Sequence, residues 1–371
     1  MSSAPAKGRA RHPFSFSESF PPGSAAADLV ERLGFARLLE AYGSSFAEPR
    51  EDDEAGVGLR MFLDVGVVEG HEGGRAQGRA LPFLMLNPDA RAQSLGNTSV
   101  GLSQGMYLYT NPSSAFYTDK KASVDASLSF FPKEEGATGH LGIYTATGHW
   151  RPAKSHAVML GFRYAGGLTF PGYDLFGQPT KDYKPFDWAL DLGYAYRFTP
   201  ELSVFASGSF FYSHLSSNAR GGAFGLGATY HKRDVRLGNH SAAYTLTAKV
   251  SDLGPKLDYG NTEADLPASA SLGGEFSMAL SEQHAIAASL GARYYFLPKD
   301  SHLFTSGIGV EYTYDKKYSL RAGYELAEHN LSHATFGAGV KLGGFKLNAA
   351  YALKTSEDGT NHFSLGLGFD F

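Results

Sequence analysis

From Phe363 to Phe371 the chain alternates without a break: Phe363, Leu365, Leu367, Phe369 and Phe371 share one face, and Ser364, Gly366, Gly368 and Asp370 the other. A helix cannot keep a period of two, whereas a β-strand must, because its successive side chains point to opposite faces. The pattern recurs from about residue 122 onward. Its segments are 122–131, 140–149, 156–165, 186–198, 202–213, 222–231 and 242–252, then 268–280, 284–296, 303–314, 318–326, 334–342, 345–353 and 363–371. The clearest, Phe186–Phe198, puts aromatic residues and leucines at even positions and Asp187, Asp191 and Arg197 at odd ones. Such a chain folds as a sheet, and the open question is what its apolar face meets.

Composition narrows the answer. The 371 residues hold 45 Gly, 27 Phe and 21 Tyr but only 2 Trp, which suits many short strands with aromatic ends better than a helical enzyme. No apolar run approaches the roughly 18 residues of a transmembrane helix. A mean hydropathy of −0.23 does not argue against a membrane barrel, whose lipid-facing residues are hidden by alternation. Cysteine is absent, so disulfides, zinc–cysteine sites and thiol chemistry are excluded. A net charge of −4 gives no electrostatic case for nucleic acid.

The phase of the charges is the sharpest internal signal. Asp125, Arg163, Asp187, Asp191, Arg197, Lys249, Glu275, Arg293, Glu311, Arg321, Lys341, Lys346 and Asp370 all lie opposite the aromatic or branched face of their strands. A soluble sandwich turns its apolar face inward, and a membrane barrel turns it outward with charges toward the lumen. Crowding of Tyr and Phe near strand ends, and the lack of helices to cover the apolar face, favour the barrel. A last strand that ends on Phe is also the closing-strand signature of bacterial outer-membrane barrels. Fourteen strands is an even number, and each is long enough to cross a bilayer at a tilt.

Links at 199–201, 280–282, 315–317 and 343–344 are tight. They alternate with longer ones at 166–185, 214–221, 253–267, 297–302, 327–333 and 354–362. Short turns belong on the periplasmic side and long loops outside, which places both barrel termini in the periplasm. The link at 232–241 is the exception, long where a short turn is expected.

Residues 1–78 read as a flexible leader with an acidic run at 51–54 and one amphipathic helix at 28–40. No secretory signal is visible at Met1, and Arg75–Arg79 resembles the tail of a cleavage site, with a mature start near residues 77–80. Residues 79–121 are not clearly strand and are expected to plug the barrel formed by 122–371. With both signs in the lumen, a neutralised network packed by that plug is favoured over an open ion path.

Family likeness is carried by several stretches. Leu81-Pro-Phe-Leu-Met-Leu-Asn-Pro-Asp-Ala-Arg-Ala-Gln-Ser-Leu-Gly96 resembles the opening segment of the PorV/PorQ outer-membrane proteins, and Asn111-Pro112 falls where that family and its FadL-like relatives carry an NPA-type element. Val250–Tyr259, Leu266-Pro267, Leu272-Gly273, Leu320–Tyr324 and Thr335–Gly339 are similar to later family stretches. The likeness spans roughly residues 80–371 and is stronger to PorV than to PorQ. Gln93-Ser94 and Ser113-Ser114 depart from the usual residues. The resemblance implies a fourteen-stranded FadL-like barrel of Bacteroidetes-type outer membranes, in contact with lipid and lipopolysaccharide. For PorV-like members it implies type IX secretion, with the translocon barrel and cargo bearing a C-terminal signal domain as partners. PorQ-like members belong instead to the surface-attachment machinery. Pro88, Asp89, Arg91, Gly96, Asn111 and Pro112 are the plug positions it marks. For Pro88, Asp89 and Arg91 a turn with a local Asp–Arg contact, closing the barrel floor, competes with a partner contact.

Chemistry motifs are poor, and no cofactor, metal or catalytic site is expected. His329 and His333 are four apart in a loop, a spacing that is more often incidental than metal-binding. The Gly-x-Gly pieces at 225–227, 307–309, 337–339 and 366–368 sit inside strands and read as small lumen-facing positions, not phosphate loops. A barrel hydrolase needs a nucleophile, base and orienter at one rim, and no histidine near a strand end has a convincing Ser and acidic partner. Loop 166–185, with Phe170, Tyr173, Phe176 and Tyr183, is the best interaction surface. Its aromatics serve as partner anchors or fold inward to cap the mouth. The acidic 254–267 loop is a weaker second surface. A FadL-like channel for hydrophobic small molecules is the alternative function.

Overall fold

The computed structural model describes residues 79–134, 136–172, 178–215, 217–260, 262–299 and 301–371. The amphipathic stretch at 28–40, the acidic run at 51–54 and the expected cleavage region before residue 79 lie outside them.

The wall starts with β1 (Ala122–Phe130), β2 (Thr138–Ala153), β3 (His156–Thr169) and β4 (Phe186–Arg197). It continues through β5 (Leu202–His214), β6 (Asn218–Leu237) and β7 (His240–Leu253). A loop then carries the two-residue strands β8 (Leu257–Asp258) and β9 (Glu263–Ala264), which pair with each other. The wall resumes with β10 (Ser269–Ala279), β11 (His284–Tyr295), β12 (Leu303–Tyr314) and β13 (Tyr318–Ala327). It ends with β14 (His333–Leu342), β15 (Phe345–Lys354) and β16 (His362–Asp370). Every wall strand is antiparallel to its neighbours. β7 pairs with β10 across the excursion, and β16 closes on β1 with Ser123 opposite Asp370 and Phe130 opposite Phe363. The Phe371 amide extends that seam by donating to the Ala122 carbonyl at 2.9 Å. Closure at fourteen strands removes the free edges that an open sheet would expose.

Burial along each strand settles which face is which. In β1 the polar Ser123, Asp125, Ser127 and Ser129 are buried, while Val124 is 57% exposed. In β13 Arg321 is buried and Leu320 is 65% exposed. The sheet is inside out relative to a sandwich, and hydrocarbon is the surrounding that favours a continuous outer coat of Leu, Val and Phe. Aromatics crowd both rims: Tyr144, Tyr164, Phe186, Trp188 and Tyr212 contact one another at the long-loop end. Phe345, Phe369 and Phe371 do so at the other.

The turns keep the alternation of short and long links and remove its exception. β6 and β7 extend to Leu237 and His240, so the expected long link at 232–241 is a tight hairpin around Gly238, which sits at φ +61°. A register shift between Lys232 and Val235, with Asp234 at φ +57°, interrupts the alternation there. That bulge is why a paired, highly charged stretch reads as a loop.

Candidate functional site

Residues 79–121 cross the lumen from the long-loop rim to the short-turn rim. At the first rim the Ala80 amide donates to the Asp265 carbonyl at 2.8 Å. Phe83 and Leu84 then join Leu141, Leu168, Phe211, Leu257 and Leu266 in an apolar cluster beneath the loops. A one-turn helix, Ala90–Gln93, follows, with buried Pro88 just before its cap and Asp89 as the cap: the Asp89 carboxylate accepts from the Arg91 amide at 2.9 Å. The local Asp89–Arg91 contact expected from the sequence is therefore to backbone only. The Arg91 side chain turns to the wall, meeting Glu311 at 3.0 Å and Glu275 at 3.2 Å, and Arg321 pairs with Glu311 from β13. All four groups are nearly inaccessible, so their charges are held by one another and not by water.

Two further ion clusters complete the interior. Lys346 bridges Asp370 at 2.6 Å and Asp125 at 3.1 Å, tying β15 to the β16–β1 seam. Arg163 pairs with Asp191 at 2.7 Å, and its guanidinium lies 4.7 Å from the Tyr109 ring centroid. These lumen-facing charges form compact neutralised groups with the crossing segment packed among them. Lys249 donates instead to the Thr110 carbonyl, and Arg293 to Ser99, Ser271 and Tyr295, without a carboxylate partner among the described residues.

Backbone from Ser94 to Val100 lies in a furrow that the strand glycines make possible. Gly96, at φ +69°, sits against β12 and β13, where any side chain would meet the carbonyls of Ile308 and Tyr324 at 2.6 Å. Gly307, Gly309, Gly323 and Gly337 face this stretch, and a Cβ on any of them would collide with Ser94, Leu95 or Gly96. In the Gly-x-Gly pieces, Gly307, Gly309 and Gly337 are small so that this segment can lie on them, whereas Gly225, Gly227, Gly339 and Gly368 face atoms of neighbouring strands.

Asn111 is fully buried and makes four hydrogen bonds. Its Oδ1 accepts from the Ser113 amide at 3.1 Å and from Thr229 Oγ1 at 3.0 Å. Its Nδ2 donates to Thr247 Oγ1 at 3.0 Å and to the Gly101 carbonyl at 3.2 Å. Pro112 opens the 3-10 turn Pro112–Phe116 that this cap fixes. Asn111→Ala should therefore lower stability by about 1–3 kcal/mol with the barrel intact. The check is a lower urea midpoint in lipid with an unchanged β-sheet circular-dichroism spectrum.

One constellation escaped the sequence. Ser123 Oγ lies 2.7 Å from Asp125 Oδ2 and 2.7 Å from His149 Nδ1. The serine has one proton, so it donates to Asp125 and accepts from His149. A hydrolytic triad places the histidine in the middle, between acid and nucleophile, and here the serine occupies that place. It is also 1% exposed. Residues 123, 125 and 149 come together only through the β1–β2 register, which no local motif announces. His329 and His333 part ways: Nε2 of the first contacts the His302 carbonyl and Nε2 of the second that of Thr360.

In the long loop, Phe170 and Tyr183 exchange both backbone hydrogen bonds at 2.8 Å, a clasp at its base. Phe170 packs on the apolar cluster below, and Tyr183 is half-buried. Burial, and then the Asp187 carboxylate, push the Tyr183 phenol above its ordinary range. Tyr173 and Phe176 lie outside the described residues.

These features define a closed fourteen-stranded β-barrel of the bacterial outer membrane. Among solved structures its fold is similar to the Pseudomonas putida toluene transporter TodX, at 15% identity and a TM-score of 0.53, over 76% of this chain and 97% of that one. The Ralstonia pickettii toluene transporter TbuX matches at 15% identity and a TM-score of 0.53, over 76% and 97%. No curated protein sequence matches. Residues 70–301 match the family model for the type IX secretion system protein PorV, and the chain belongs to that family.

Proposed function

We propose that the protein is a non-enzymatic outer-membrane component of the type IX secretion system, and that it docks the C-terminal signal domains of cargo, the translocon barrel, or both. Family membership carries this reading. The filled lumen supports it, because a barrel whose interior is occupied by a buried segment and closed ion clusters presents surfaces and not a bore. The loop at 166–185 is the proposed contact. Its base is clasped at Phe170–Tyr183, and exposed aromatics on a long loop are suited to anchoring a partner. Changing Phe170, Phe176 and Tyr183 together to Ser should leave membrane insertion intact and reduce capture of a purified C-terminal signal domain several-fold. Equal capture by the triple variant would remove the loop from the account.

A second reading, a channel for hydrophobic small molecules, has one observation in its favour. A cavity of about 150 Å³ lies against the crossing segment, lined by Phe83, Leu86, Phe131, Leu141, Ile143 and Leu303, with Asp187, Glu325, His333 and His362 also on its wall. A cavity of about that size can hold a benzene-sized guest where its lining is apolar. Against a lateral exit, the wall strands are hydrogen-bonded all the way round.

A further inference from the structure

Three arginines converge on the end of the crossing segment at the short-turn mouth. Arg151 on β2, Arg197 on β4 and Arg233 on β6 all hold odd-numbered positions, the lumen-facing phase of their strands. Arg151 Nη1 donates to the Ala115 carbonyl at 3.0 Å, and Arg233 Nη2 to that of Tyr117 at 2.6 Å. Arg197 lies 5.5 Å from the Phe116 ring centroid, and Arg233 is 5.5 Å from that of Tyr117.

Among the described residues none of the three forms an ion pair. Glu201 is engaged by Lys232 at 3.3 Å, and Asp119 is exposed and forms no ion pair. Deeper in the lumen Arg91, Arg163, Arg321 and Lys346 each hold a carboxylate, whereas Lys249 and Arg293 are held by a carbonyl and by hydroxyls. Arg151 feels both other arginines, with the exposed Asp119 carboxylate as the nearby opposite charge. Three cations gathered around one carboxylate raise the free energy, and an arriving anion relieves it. Across the same mouth lies a separate cavity of about 440 Å³ whose wall carries exposed Lys316, Lys317 and Lys341 together with Asp119, Glu275, Glu311 and Asp370, and none of the three arginines. Lys317 and Lys341 are shared with Asp315 and Asp370.

We propose that this mouth binds an acidic, extended polypeptide segment of a partner on the short-turn side of the membrane. Arginine forks suit carboxylates, to which they donate in pairs. Lumen-facing placement disfavours lipid headgroups, which meet the outer wall. This inference stands apart from cargo docking at the long loops.

Fluorescein-labelled hexaglutamate is the probe, and its anisotropy is read against the full-length protein in nanodiscs. Binding is expected, weakening as salt rises from about 50 to about 500 mM. R151Q/R197Q/R233Q should weaken it by about tenfold or more. If the triple variant fails to fold, R197Q alone removes a charge while leaving both arginine–carbonyl bonds, and should show a smaller loss in the same direction. K256Q/K354Q at the opposite rim should bind like wild type. No peptide binding, equal binding by the arginine variants, or binding of inorganic phosphate with exclusion of the peptide would each overturn the proposal.

Discussion

Replacing Arg91 with Leu is expected to destabilise the folded barrel by about 3–5 kcal/mol, the usual cost of stranding one partner of a buried charge pair. In this variant Glu275 has no cation left, and Glu311 keeps only Arg321. Two carboxylates that shared one guanidinium, both nearly inaccessible, then face each other. A drop in the urea midpoint in lipid, and earlier loss of the compact gel form on heating, would report it. R91L/E275Q should regain a substantial part of the loss, because the stranded charge is removed together with its partner. If R91L unfolds like wild type, the ion cluster does not hold the crossing segment. If R91L/E275Q is no better than R91L, lost packing and not lost charge is the cause.

The second large effect is steric. Gly307→Val should leave the wall able to form, since valine suits a strand, but it puts a side chain where the Gly96 carbonyl lies. The segment from Ser94 to Val100 cannot keep its furrow, so it should unseat. Protease cleavage near those residues and a higher conductance in planar bilayers are the expected signs, with the β-sheet signal retained. Gly208→Val is the control, because nothing lies within 4 Å of a Cβ added there. Wild-type conductance and protease resistance in Gly307→Val would show that the segment does not depend on the glycine furrow.

How legible all this was depended on whether the information was local. Strand number and facing could be read from the period and phase of residues such as Phe186–Arg197, since alternation is a property of one strand and its surroundings. The hairpin at Gly238 was missed because the bulge after Lys232 breaks the period while the pairing continues beyond it. The lumen-facing charges were visible as positions, and their pairing was not. Arg91 is 184 and 220 residues from Glu275 and Glu311, and only barrel closure sets those distances. The Ser123–Asp125–His149 cluster and the arginines around Phe116 and Tyr117 were hidden for the same reason. The glycines read as small were small for a partner that could not be named from the strands alone.

The central claim is that the barrel is a docking component of the type IX system. Affinity capture of the tagged protein from detergent-solubilised outer membranes, with mass spectrometry of what stays bound, tests it most directly. The account predicts recovery of a very large translocon barrel, or of secreted proteins still carrying their C-terminal signal domains. Recovery of the protein alone, with an apolar small molecule in the cavity beside Phe83 and Leu141, would contradict it and establish the channel reading instead.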